Sequence, residues 1–105
     1  MTTTTQLDAV RNTQRESWNK FSEGWKKWDE LVMDFLRPVG NGILESIPFK
    51  DNFKVLDIAS GTGEPGLTAA TLVMNGEVIG TDISEDMVAI ASENAREKSQ
   101  RINFF

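Results

Sequence analysis

Two carboxylates on either side of a glycine-rich turn carry the chemistry of this chain. Gly61-Thr62-Gly63-Glu64-Pro65-Gly66 satisfies the spacing G-x-G-x-x-G, and Asp82 follows 19 residues after Gly63. Asp57 stands four residues before Gly61, near the end of a short apolar run. Glycines, having no Cβ, let a backbone turn tightly and approach a ligand closely. An acid at the end of the next strand can accept hydrogen bonds from both hydroxyls of a ribose. The spacing therefore points to a nucleoside cofactor at the turn, with Asp82 at its ribose.

The charges around the turn sort the candidate nucleosides. Glu64 stands at the start of the helix that follows, where a dinucleotide would place its pyrophosphate. A carboxylate beside phosphate charges is repulsive by about a few kcal/mol when poorly solvated. Asp57 occupies a position that is normally apolar in a nicotinamide-binding strand, and it suits a ligand with a cationic amine. No lysine stands in the turn to bind phosphate. A cofactor with ribose, positive charge and no phosphate meets these conditions, and S-adenosyl-L-methionine is one. Two other readings stay open: an NAD(P)-dependent oxidoreductase domain, and a non-catalytic binding or assembly module of the same fold.

Composition removes other chemistries. The chain of 105 residues has no His and no Cys, which excludes the usual zinc site, a Ser-His or Cys-His nucleophile and a disulfide framework. The expectation is no metal, and no side chain stands out as a general base, so the catalytic residue is unassigned. Residues 1–54 hold eight basic and eight acidic side chains, whereas residues 55–105 hold three and eight, so the net −5 arises wholly in the second half. A basic face of the kind that binds nucleic acid is missing. No apolar run reaches the roughly 18 residues needed to span a bilayer, and the N-terminus lacks the basic start and apolar core of a secretion signal. The expected compartment is the cytosol.

The elements that must position these residues follow from periodicity. Residues 1–5 (MTTTT) read as a frayed polar start. From Leu7 to Leu36 apolar residues recur at a helical period, with Trp18, Phe21, Trp25, Trp28, Val32 and Phe35 on one face. Those rings either bury the helix against the fold or line a ligand cavity. Gly24 predicts a bend, Arg37-Pro38 a stop, residues 40–42 a loop, and Ile43–Ile47 a short helical turn. Phe53–Ala59 reads as a buried parallel strand, Ser60–Gly63 as a tight turn, and Pro65 as the first turn of a helix through Leu67, Ala70 and Met74. Glu77–Asp82 is a second strand. Ser84 caps a helix whose buried stripe is Met87, Val88, Ala91 and Ala95, with Lys98 and Arg101 at its C-terminal end. Ile102–Phe105 begins a third strand. The fold class is α/β: a helical cap segment over residues 1–50, then a β-α-β-α-β half of a Rossmann-like parallel sheet over residues 51–105.

Val55-Leu-Asp-Ile-Ala-Ser-Gly-Thr-Gly63 resembles the first motif of class I S-adenosylmethionine-dependent methyltransferases. Val78-Ile-Gly-Thr-Asp-Ile-Ser-Glu-Asp-Met87 is similar to the segment that follows it in that family, and Trp18–Trp28 resembles the ubiquinone/menaquinone-biosynthesis branch. The resemblance implies that Asp57 orients the methionine amino group, directly or through water, and that Ala59, Ser60, Gly61 and Gly63 run along the methionine moiety. It further implies that Asp82 holds the ribose while Ile83 and Met87 pack on adenine. The partner it implies is a small methyl acceptor, apolar to match the aromatic cap. In that family the sheet continues through further strands, so the chain is expected to be the N-terminal part of a longer, truncated domain, inactive alone. Its first strand would then offer an open edge, and an uncovered apolar edge predicts a homo-oligomer.

Overall fold

The computed structural model describes residues 4–105. Two helices, α1 (Thr4–Lys27) and α2 (Asp29–Glu45), precede β1 (Lys54–Ile58), α3 (Gly66–Leu72), β2 (Glu77–Thr81), α4 (Glu85–Glu97) and β3 (Asn103–Phe104). The three strands form one parallel sheet in the order β1-β2-β3, with Asp57 opposite Gly80 and Gly80 opposite Phe104. No helix among the described residues is long and apolar enough to cross a membrane.

Strand alternation divides the sheet into two unlike faces. Val55, Val78 and Phe104 turn toward α3 and α4 and join Leu67, Ala69, Ala70, Val73, Ala91, Ala95 and Ile102 in the core. Burying a side chain such as Leu67, which is 1% exposed, contributes about 1.5–3 kcal/mol. The opposite face is bare: Leu56 is 61% exposed and Ile58 74%. The expected half of a doubly wound sheet is thus a sheet covered on one side only, with β1 as an open edge.

The strand–turn–helix half follows the sequence closely, because each element is set by local signals. Ser84 is the N-cap of α4: its side-chain oxygen accepts the Met87 N–H at 3.2 Å, and Glu85 and Asp86 complement the first turn. The third helix ends at Leu72, before Met74, and Arg101 lies past α4, donating to the Met74 carbonyl at 2.7 Å.

The helical half departs from expectation in four places. The helix breaks at Trp28, not at Gly24, which lies inside α1 with open space where a Cβ would be. Pro38 stands inside α2 and residues 40–42 continue that helix, so no loop interrupts it. The apolar period of Leu36, Val39 and Ile43 runs through the proline, which forfeits one backbone bond without ending the helix. The segment expected from Ile43 to Ile47 is the end of this same helix, closing at Glu45. Residues 1–3 of the expected frayed start lie outside the described residues, while Thr4 and Thr5 belong to α1.

The tryptophan face does not dock α1 onto the sheet module. Its contact with α4 is polar: Ser22 is the buried residue, and Asn19 Oδ1 accepts the Ser84 hydroxyl at 2.5 Å and the Asp86 N–H at 3.3 Å. Lys26 reaches Glu93 at 3.5 Å on the exposed side of the same contact. The aromatic face is left for the cleft and the solvent.

Candidate functional site

The turn after β1 is a chain of left-handed residues. Ala59 (φ 58°), Gly61 (φ 56°) and Gly63 (φ 124°) all have positive φ, and Ala59 accepts this without being glycine. Such a residue costs about 1–2 kcal/mol, and strain of this kind gathers at ligand sites. Inward hydrogen bonds hold the turn: Ser60 donates its N–H to the Thr81 carbonyl at 2.9 Å, and Gly63 N–H returns to the Ser60 carbonyl at 2.9 Å. Gly63 is buried, and a Cβ there would meet Leu67 Cδ1 at 2.7 Å.

Carboxylates have taken the amides around this turn. Asp82 Oδ2 accepts the Gly61 N–H and its Oδ1 accepts the Ser84 N–H, both at 2.9 Å. Asp57 Oδ2 accepts the Gly66 N–H at 3.2 Å, and Glu64 Oε2 accepts the Thr68 N–H at 3.2 Å and its hydroxyl at 2.7 Å. Burial pushes the Asp57 carboxyl above its ordinary value; the Gly66 N–H opposes this, and the charges of Glu64 and Asp82 add to it. The charges of Glu64 and Asp82 therefore act on Asp57, and the Lys98 ammonium stands 3.7 Å from Glu64 Oε1.

A cleft of about 690 Å³ opens at the carboxyl end of the strands. Among the expected site residues, Ala59, Ser60, Gly61, Asp82, Ile83 and Met87 line it. Asp57 and Gly63 do not; Asp57 faces α3 from behind the turn, and Gly63 backs the turn against Leu67 and Phe104. The opposite wall comes from the cap, through Trp18, Trp25 and Met33. The Trp18 and Trp25 rings lie 6.2 Å apart. Phe21, Trp28 and Leu31 face outward instead, so one periodic face serves two surfaces. Met33, Ile58, Thr62, Glu64 and Thr81 belong to the cleft wall without having been expected there. Glu64 was recognisable in sequence as an acid at a helix start; the places of Met33 and Thr62 depend on how α2 sits over the turn.

Residues 49–104, which include both motifs and the whole turn, match the family model described as a methyltransferase domain. The chain belongs to the class I S-adenosylmethionine-dependent methyltransferase family. This methyltransferase segment is 32% identical over 90 residues to the release factor glutamine methyltransferase of Lactococcus lactis, covering 83% of the segment and 33% of that relative. The crystal structure of YcgJ from Bacillus subtilis shares 30% identity over 63% of the segment and 28% of its own chain, with a TM-score of 0.59. The fold alone is shared with magnesium protoporphyrin IX methyltransferase from Synechocystis, solved with bound S-adenosylhomocysteine, at 20% identity and a TM-score of 0.65. That match covers 90% of the segment and 50% of that chain. The segment thus spans about a third of the length of the curated relative it matches. The family model names the methyltransferase domain and specifies no branch within it.

Proposed function

We propose that this segment is the cofactor-binding part of an enzyme that transfers the methyl group of S-adenosylmethionine to a small, apolar acceptor. One observation carries the choice of ligand. The amides that a pyrophosphate would use, at Gly61, Gly66 and Thr68, are already bonded to Asp82, Asp57 and Glu64. A dinucleotide would have to displace three carboxylates and then sit beside them. A sulfonium nucleoside carrying an amine gains from the same charges.

In this reading the backbone of Ala59, Ser60 and Gly61 runs along the methionine moiety, with Gly63 holding the turn from behind. Asp82 takes the ribose: a carboxylate has about four lone-pair sites, and the two backbone bonds leave acceptor capacity for hydroxyls. Ile83 and Met87 bound the adenine. Asp57 acts on the methionine amine from behind the turn, by its charge or through a water. Trp18, Trp25 and Met33 supply the apolar wall that favours an apolar acceptor and a dry site. Transfer from the sulfonium is an in-line displacement in which the acceptor gains the methyl and the sulfur keeps the bonding pair; the residues described align and shield it.

Calorimetric titration with S-adenosylmethionine, S-adenosylhomocysteine and NAD tests the reading. Binding of the first two without the third is expected. Saturable NAD binding at comparable affinity, or no heat with either sulfur nucleoside, would refute it. The bare face of β1 and its open edge support a second proposal, that another copy of this chain covers them. Light scattering that finds a stable monomer of 11.7 kDa would overturn it.

A further inference from the structure

We infer that Asp29 is a positioning residue that clamps the helical cap to the glycine turn and so sets the width of the cleft. The inference rests on the cofactor reading above. Thr62, in the middle of the turn and 6% exposed, donates its hydroxyl to Asp29 Oδ1 at 2.6 Å. Asn94 of α4 donates its amide to Asp29 Oδ2 at 3.3 Å and to the Thr62 carbonyl at 2.8 Å. Three separate elements, the start of α2, the turn and α4, therefore meet at one carboxylate.

Apolar burial does not account for the position of α2, because none of its residues is buried. It meets the rest of the molecule at Asp29 and, at its far end, through Leu44 against the core. A groove of about 500 Å³ separates its middle from α3. Trp25 lies one helical turn before Asp29 and Met33 one turn after, and both line the cleft. Releasing Asp29 frees the α2 part of that wall, Met33, which then uncovers Trp18 and Trp25, while α1 stays docked through Asn19 and Ser84. The protein then spends part of its time with the wall displaced, and apparent affinity falls by the fraction of time the cleft is formed.

The test compares Thr62→Val, which keeps the shape and loses the hydroxyl, with Thr62→Ser, which keeps the hydroxyl. S-adenosylhomocysteine is titrated by calorimetry. In parallel, tryptophan emission of the ligand-free proteins is recorded in a Trp28→Phe background, where Trp18 and Trp25 remain as reporters. The expected result is about a tenfold weaker affinity for Thr62→Val, equivalent to about 1.4 kcal/mol, with red-shifted emission, and near wild-type behaviour for Thr62→Ser. Equal affinity and emission in Thr62→Val and wild type would overturn the clamp. If Thr62→Val does not fold, Asn94→Asp carries the test, since it turns a donor to Asp29 into a like charge and keeps the Thr62 hydroxyl, at the cost of the amide bond to the Thr62 carbonyl. If the wild type binds no ligand, the cofactor reading fails. The clamp is then judged on emission alone, and an unshifted Thr62→Val spectrum overturns it.

Discussion

Replacing Asp82 by alanine should damage stability and ligand binding together, by amounts the structure allows to be set separately. The side chain accepts two backbone N–H groups, from Gly61 and Ser84. Hydrogen bonds to charged groups contribute about 1.5–3 kcal/mol, and an orphaned buried donor costs about 1–3 kcal/mol. Ser84 is 0% exposed, so its N–H finds no water after truncation; Gly61 is partly exposed, and water can replace its partner. The larger share of the loss therefore falls on one bond, which gives a destabilisation of about 2–3 kcal/mol. For a chain of 105 residues, this corresponds to roughly a 10 °C fall in Tm. Affinity for S-adenosylmethionine should fall about a hundredfold, the loss of roughly 2.8 kcal/mol of ribose hydrogen bonding. Asp82→Asn should fall between wild type and alanine, because its amide oxygen can serve one N–H while its NH2 opposes the other. Thermal melts and calorimetry at one temperature read both quantities. A melt within 2 °C of wild type would refute Asp82 as the clasp of the turn; unchanged affinity in a folded variant would refute the ribose placement.

Asp57→Asn should raise the Tm at neutral pH. The carboxyl holds its proton more tightly folded than unfolded, so stability declines as pH rises from the unfolded value through the raised folded one and is level beyond it. The amide keeps an acceptor for Gly66 N–H and has no charge to desolvate, so its advantage should vanish in melts below the ordinary carboxylate range. A Tm below wild type at pH 7 would contradict this. The same variant should bind S-adenosylmethionine more weakly, and wild-type affinity should fall as pH drops through the raised Asp57 value; calorimetry across pH reads both, and a flat profile would count against an ionised Asp57. Glycine-to-alanine changes should split in sign. Gly24→Ala and Gly42→Ala, helical with open space at the new methyl, should each stabilise by about 0.5–1 kcal/mol. Gly80→Ala should destabilise by about 1–3 kcal/mol, because its Cβ would meet Phe104 Cδ1 at 2.4 Å and Ser60 Oγ at 3.2 Å. Denaturant titration separates the two groups, and a stable Gly80→Ala would refute the close approach of Phe104 to β2.

The fold of residues 53–105 was legible because each boundary has its cause within a few residues. The Ser84 cap, the glycine turn and the apolar stripe of α4 depend on neighbours close in sequence. The same holds for six of the expected site residues, Ala59, Ser60, Gly61, Asp82, Ile83 and Met87, which reach the cleft because strand ends, loops and the first turn of α4 present them there. Asp57 is different. Alternation along β1 puts its side chain on the helix face, opposite Gly80, and the absence of a Cβ there leaves room for Phe104 rather than for a ligand. A strand-end acid can thus stand behind a turn, with its atoms outside the cleft which that turn lines.

The helical half was misread for a reason that bears on function. Periodicity reveals which face of a helix is apolar, not what covers that face. Here the packed face of α1 is Asn19, Ser22 and Lys26, while Trp18 and Trp25 look into the cleft. The break at Trp28 falls one residue before Asp29, whose carboxylate is held by Thr62 and Asn94, residues far along the chain that periodicity does not reveal. A cap held by apolar burial would have filled the cleft with its own rings. Holding it by polar contacts at Asn19 and Asp29 leaves Trp18 and Trp25 on the wall of an open cleft, and makes the cleft's shape depend on a few hydrogen bonds that single substitutions can remove.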